Sequence, residues 1–234
     1  MRRSALAAER AIASAVVQTS THRLAAVLEA AAHGAFPAAD GTVEVLPPPP
    51  GPAMAVVALT SRYFIATAAP EDWIRSRLPE GDLLAPMSPR FLSALGDYLA
   101  LRDDGIDVLL VAHGLPGTSL LRETTAREHA RVTRAHAHRE HVRVFTDPTG
   151  VATIILGHGL ALRNEVAIEV EPTHRGHGLA TRTLTEARRL VGADQLLFAQ
   201  TAPGNAASLR AFLAAGFRPI GSEVLFFTGH RPPA

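Results

Sequence analysis

Apolar positions recur at helical spacing in the first part of the chain and at strand spacing further on. Across residues 4–33, Leu6, Ile12 and Val16, then Leu24, Val27 and Leu28, fall at roughly helical intervals and predict helix. Ser20 or Thr21 is placed to cap a second helical segment, and Gly34 to end it. The block Leu46-Pro47-Pro48-Pro49-Pro50-Gly51-Pro52 follows. Proline lacks the amide donor and fixes φ, so this block reads as a stiff extended connector. Ala53–Thr60 and Tyr63–Ala68 are two apolar runs split by Ser61-Arg62, the pattern of a hairpin. Helical patterns return at Pro70–Arg77 and Pro89–Ala100, and Ile106–Ala112 is a short run of strand type.

Leu115 to His141 is polar, rich in Arg and His, and without a clear period. From Val142 the pattern sharpens. Val142–Phe145 and Val151–Leu156 read as strands joined by the turn Asp147-Pro148-Thr149-Gly150. Glu165–Glu171 alternates, with Val166, Ile168 and Val170 on one face and Glu165, Ala167, Glu169 and Glu171 on the other. Pro172 stops that strand. A helix after it buries Leu179, Leu184, Ala187, Leu190 and Val191, with Gly192 at the C-cap position. Gln195–Gln200 is the next strand. Asn205 caps a second helix with Leu209, Phe212 and Leu213 as its apolar stripe, and Gly216 ends it before strand Phe217–Ile220.

Composition adds exclusions to this picture. At 234 residues and 47% hydrophobic, the chain buries a substantial core, and its formal net charge of +1 leaves any nucleic-acid footprint to a local patch. The Arg/His-rich stretch 122–143 is the one candidate for such a patch, and no nucleic-acid partner is expected. Cysteine is absent, which removes disulfides, a cysteine acyl-enzyme and thiolate metal sites. Lysine is absent too, so all 23 basic residues are arginine, a composition that looks like the codon bias of a GC-rich bacterial genome. His129, His136, His138 and His141 invite a metal hypothesis, but no Glu or Asp framework accompanies them, and solvated histidines are expected, with no metal. Met1-Arg2-Arg3 starts like a signal peptide until Glu9 and Arg10 interrupt the apolar run, and no uncharged stretch is long enough to span a membrane. The expectation is a cytoplasmic protein, monomer or homodimer, with no membrane partner.

The chemistry concentrates at Thr173-His174-Arg175-Gly176-His177-Gly178-Leu179-Ala180, between a strand and a helix. Amides at a helix start lack internal partners, and the helix dipole favours negative charge there. Gly176 and Gly178 permit positive φ and close approach, while Arg175 offers a forked cationic donor. A phosphate or pyrophosphate ligand is expected. A bare strand-to-helix turn and a dinucleotide site are the alternatives. The dinucleotide pattern wants Gly or Ala where Thr181 stands and an acid at the end of the next strand, where Gln200 stands.

Arg175-x-x-Gly178-x-Ala180 resembles the acyl-coenzyme A signature of the GNAT N-acetyltransferases. Asn205-x-x-Ser208 through Gly216-Phe217 resembles that family's second motif at the usual distance. The resemblance covers roughly residues 142–227. It implies an α/β (α+β) GNAT fold, a central mixed sheet flanked by helices. Residues 101–234 would form the GNAT domain. Residues 1–100 would form an additional N-terminal α+β lobe, a degenerate second GNAT lobe or an appended module. It also implies acetyl-CoA as co-substrate and direct transfer of its acetyl group to an amine of a small molecule or peptide. Backbone groups of Ile168, Glu169 and Val170 would pair with the pantetheine arm. The amides of Arg175, Gly176, His177, Gly178, Leu179 and Ala180 would hold the diphosphate, and Asn205 and Ser208 would face the coenzyme.

Attack on a thioester needs an uncharged amine and a proton for the leaving thiolate. Glu165 and Glu169 are the candidate bases, as half-buried carboxylates whose pKa values burial would raise. Many relatives place a tyrosine acid where this chain has Phe212. Phenylalanine donates no proton, which motivates the alternative of a catalytically weak or inactive coenzyme A-binding regulatory protein.

Overall fold

Hydrophobic alternation and turn chemistry set most of the strand boundaries in the computed structural model, which describes residues 22–125 and 130–227. The sequence readings on residues 1–21, with their helical positions Leu6, Ile12 and Val16, and on His129 lie outside the described residues. The first described helix, α1 (Arg23–Ala32), is capped by His22, whose ring nitrogen accepts from the Leu24 amide at 3.2 Å. Strand β1 (Val43–Leu46) precedes the proline block, and β2 (Ala53–Leu59) and β3 (Arg62–Ala66) form the expected hairpin. Its two turn residues, Thr60 and Ser61, both adopt positive φ, the geometry that matches strand twist in a two-residue loop. Helices α2 (Glu71–Arg75) and α3 (Pro89–Leu99) follow, the latter capped by Ser88.

Strands β4 (Arg102–Asp103) and β5 (Asp107–His113) lead into the polar stretch, which forms β6 (Arg122–Thr124) and helix α4 (Ala130–His138). Helix α4 is polar on most sides and buries only Val132 and Ala135, which pack on Val144 and Ile155. Strands β7 (Glu140–Thr146), β8 (Ala152–His158) and β9 (Asn164–Val170) form an antiparallel meander. Helix α5 (Leu179–Arg188), β10 (Leu196–Thr201), α6 (Ala206–Ala214) and β11 (Arg218–Phe227) complete the chain. Helix α5 stops at Arg188, short of Leu190 and Val191, and its buried residues are Thr183, Leu184 and Ala187. The Thr183 hydroxyl bonds back to the Leu179 carbonyl at 2.9 Å, which lets a polar residue occupy the inner face.

Among the described residues the eleven strands form one mixed sheet, in the order β1-β3-β2-β11-β5-β10-β9-β8-β7-β6, with β4 added to β11. Only β1–β3 and β9–β10 are parallel. Strand β11 runs on past the expected Ile220. A register shift between Pro219 and Gly221 interrupts its pairing with β5, which resumes from Gly221 to Glu223, while from Ser222 to Phe227 its other edge pairs with β2. A side chain at Gly221 would strike the Ala58 carbonyl, so glycine is required at that step. Through β11, residues 53–66 and 107–201 share one sheet.

Two apolar layers cover this sheet. Helix α1 packs with Phe198, Leu109, Leu225 and Phe227 on one face. Helices α5 and α6 pack with Leu197, Ala199, Val166 and Leu110 on the other. The mixed α/β architecture expected from the sequence is present.

Candidate active site

Strand β9 pairs with β8 across all seven residues, yet touches parallel β10 at a single position, Glu165 opposite Phe198. Beyond that point the strands part, and the gap opens into a cavity of about 470 Å³. Side-chain alternation tells which groups face which side. Gln200 shares the Phe198 face of β10, and Asp107 shares the Leu109 face of β5, the same side of the sheet. Helix α4 roofs that side with Arg134 and His138, while Ile168, Ser208 and Phe212 line the cavity toward α6.

At the open end of β9 the chain makes a short 3₁₀ turn, Pro172–His174, and then the glycine turn. Gly176 (φ 84°) and Gly178 (φ 73°) both sit in the left-handed region. Gly178 is the N-cap of α5 and no side chain caps that helix. Residues 175–178 are exposed, and among the described residues no hydrogen bond uses the amides of Gly176, His177 or Gly178. Nothing lies within 4 Å of a Cβ built at Gly176. An anion can therefore approach the start of α5 unobstructed. Arg175 turns away from this opening: its Nε donates to the Val170 carbonyl at 2.9 Å and an Nη donates to Glu169 at 2.6 Å. It braces the end of β9 rather than reaching for a phosphate.

Asn205 caps α6, its side-chain oxygen accepting from the Ser208 amide at 3.1 Å, and both residues line the cavity. Phe212 is 3% exposed and meets Phe217 edge to face at 5.1 Å between ring centres. Its ring contributes an apolar wall and no proton.

The two carboxylates expected to have raised pKa values behave in the opposite way. Glu165 is buried, which alone would push its pKa up, but Arg163 and Arg139 overcome that and hold it low. Arg163 Nε and Arg139 Nε donate to it at 2.9 and 3.0 Å, and the Leu160 amide at 3.3 Å. Arg163 also binds Glu223 through both terminal nitrogens, at 2.9 and 2.5 Å, with Glu223 fully buried. Glu169 is likewise held low: burial raises its pKa, but Arg131 and Arg175 outweigh it. Glu165 and Glu169 lie on one face of β9 as expected, and they are met both by Arg163 and Arg175, which flank the strand, and by Arg131 and Arg139 from farther along the chain. Glu165 thus belongs to a buried ionic network at the one point where β9 and β10 still touch.

One carboxylate in the cavity does have a raised pKa. Asp107 is pushed up to about 6, first by burial, then by the Glu223 and Asp104 carboxylates, against the pull of Arg134. Gln200 beside it leaves Nε2 buried with no partner among the described residues, and Arg139 Nη1 is in the same state. Neither Asp107 nor Gln200 stands out in the sequence, where one opens an apolar strand and the other closes one. Among the described residues, the histidines of this stretch do not gather. His136 and His141 are exposed, while His138 is half-buried and stacks on Phe227 at 3.8 Å. Among the described residues no group of three or more His, Asp or Glu is arranged to hold a metal. No described helix is long and apolar enough to cross a membrane.

Residues 118–217 match the family model described as Acetyltransferase (GNAT) family. This part of the chain matches as a GNAT acetyltransferase domain, and the glycine turn, α5, the splayed strands and all of α6 fall inside it. Among solved structures, the chain is similar to a GCN5-related N-acetyltransferase from Kribbella flavida, with 18% identity, 59% of this chain and 64% of that one covered, and a TM-score of 0.38. It is also similar to an acetyltransferase from the GNAT family from Colwellia psychrerythraea, with 16% identity, 58% and 62% covered, and a TM-score of 0.37. A tandem GNAT protein from the clavulanic acid biosynthesis pathway shows 13% identity over 78% of this chain and 66% of that one, with a TM-score of 0.35. The chain spans less than two thirds of the length of the first two. No curated protein matches the sequence.

Proposed function

We propose that the protein transfers the acetyl group of acetyl-CoA directly to the amine of a small molecule or peptide. The observation that carries this reading is the parting of β9 from β10, which leaves a cavity beside an exposed, amide-rich helix start. A thioester coenzyme needs both features. Its diphosphate is an anion for the amides of residues 176–180, with the α5 dipole adding to the attraction. Its pantetheine arm is an extended amide chain, suited to the edge of β9 at Ile168, Glu169 and Val170, which β10 leaves unpaired. Binding there requires Arg175 to yield the Val170 carbonyl or to share it. Asn205 and Ser208 flank the path, and the thioester arrives between Phe212 and the α4 roof.

Acetyl-CoA supplies the activated acyl group, and the protein positions it and receives the protons. Among the described residues that line the cavity there is no tyrosine to protonate the leaving thiolate. Phe212 therefore favours a second reading, a coenzyme A-binding protein of low or no turnover, whose function is regulatory. One assay separates the two. Because the chain contains no cysteine, a thiol reagent reads only released coenzyme A. Amine-dependent thiol release across a panel of polyamines, arylethylamines, amino sugars, α-amino acids and a peptide supports transfer. Coenzyme binding without release for any amine supports the regulatory reading, and absence of binding removes both.

A further inference from the structure

Asp107 stands where no sequence motif points. It opens β5, lines the cavity, and has Glu223 of β11 as its cross-strand partner. Like charges directly opposite on a sheet destabilise it, so the placement calls for a use. Glu223 is occupied by Arg163, and Asp104 by Arg134 at 2.6 Å with His138 at 3.7 Å. Among the described residues the Asp107 carboxylate alone of these three acids joins no hydrogen bond or ion pair. The neighbouring strand β10 places Gln200 on the same face, with its unpartnered amide nitrogen. An unpaired acceptor and an unpaired donor, side by side at the parting of β9 and β10, are complementary to a ligand with a polar head.

Resting on the transfer reading, we propose that Asp107 is the catalytic residue that takes the proton from the acceptor amine, and that the acceptor enters as its ammonium cation. The cation loses one proton to the Asp107 carboxylate, which passes it to solvent. The freed nitrogen lone pair forms the C–N bond to the acetyl carbon as the C–S bond breaks. The second proton leaves nitrogen for the sulfur, giving an amide and coenzyme A thiol. The groups facing Asp107 are Glu223 of β11, Asp104 before β5, and Arg134 of α4, with His138 of α4 reaching it through Asp104. Their balance leaves it ionised at neutral pH and protonated in mild acid.

The test uses the full chain and the amine of the panel that releases thiol fastest. Wild-type kcat/KM should rise with pH through a limb near the value set by Asp107, about 6. Asp107→Asn should lose that limb and about 100-fold in kcat, while the KM for acetyl-CoA and the coenzyme-induced rise in Tm stay as in the wild type. Asp107→Glu should recover part of the rate. A folded Asp107→Asn variant that keeps the limb and loses less than about threefold in rate overturns the proposal. Carboxyl carbon NMR gives an acceptor-independent check, and titration of Asp107 in the ordinary aspartate range overturns it as well. If the wild type binds coenzyme A but acetylates no amine, the transfer reading falls and this one with it. If wild type and Asp107→Asn turn over alike, only this one falls.

Discussion

Replacing Arg163 by methionine removes the cation shared by two buried carboxylates at the apex of the splay. Arg163 is 5% exposed at the side chain, holds Glu223 with two hydrogen bonds and Glu165 with one, and its guanidinium lies 5.1 Å from the Phe198 ring centre. In the variant, Glu165 keeps Arg139 at 3.0 Å, but Glu223, fully buried, keeps no cation. Breaking a buried pair from one side costs about 3–5 kcal/mol, more than the pair itself is worth, because a charge is left without compensation. For a chain of this length each kcal/mol shifts Tm by roughly 2–4 °C, so a fall of roughly 6–20 °C is expected. Thermal and urea unfolding followed by circular dichroism measure it. Adding Glu223→Gln should restore a large part of the loss, and the double-mutant cycle gives the coupling. Lowering the pH should narrow the gap between wild type and variant for two reasons. Acid protonates the stranded carboxylate in the variant. In the wild type, the folded pKa of Glu165 is depressed, so its contribution is present above the unfolded carboxylate range and is lost as pH falls through the folded value. A loss below about 1 kcal/mol, or one that Glu223→Gln does not relieve, would refute the reasoning.

Two further predictions concern the site. Gly178→Val forces a β-branched residue into φ 73° at the start of α5 and brings its Cβ to about 3.3 Å from Arg182 Nη1. It should weaken coenzyme A binding by at least about tenfold by calorimetry, with a stability cost of about 1–3 kcal/mol. Phe212→Tyr adds a hydroxyl to the cavity wall, and if the departing thiolate awaits a proton, kcat should rise severalfold with the KM for acetyl-CoA unchanged. An unaltered kcat would show that protonation of sulfur does not limit turnover.

The sequence was most informative where local chemistry decides the structure. The β2–β3 hairpin, the Asp147 turn, the glycine turn before α5 and the Asn205 cap are all specified by residues within a few positions of one another. Asp147 illustrates this, since its carboxylate accepts from the Ala152 amide at 2.8 Å and the Thr149 amide at 3.2 Å. What stayed hidden depends on partners far apart in the chain. Strand β1 is four residues before a proline block, and β6 and α4 bury few side chains, so no period announces them. Strand β11 continues past the Ile220 end expected from the sequence, because after a bulge at Gly221 it takes β2 as a second neighbour while still pairing with β5 as far as Glu223. The alternation of β9 gives the face of Glu165 and Glu169 but not their ionisation, in which burial is outweighed by Arg163 and Arg139 at Glu165 and by Arg131 and Arg175 at Glu169. Asp107 is silent in the sequence for a similar reason: its pKa is raised first by burial and then by Glu223 and Asp104, and only the folded sheet and α4 create that burial and bring Glu223 and Arg134 to it.

The account turns on whether the open amides of residues 176–180 and the gap between β9 and β10 bind a coenzyme A thioester. Titrating acetyl-CoA into the protein by calorimetry, with Gly178→Val as the paired control, tests this most directly. Saturable one-to-one binding at micromolar concentration, weakened in the variant, is the predicted result. No detectable heat at about millimolar acetyl-CoA, or equal binding by the two proteins, would contradict it.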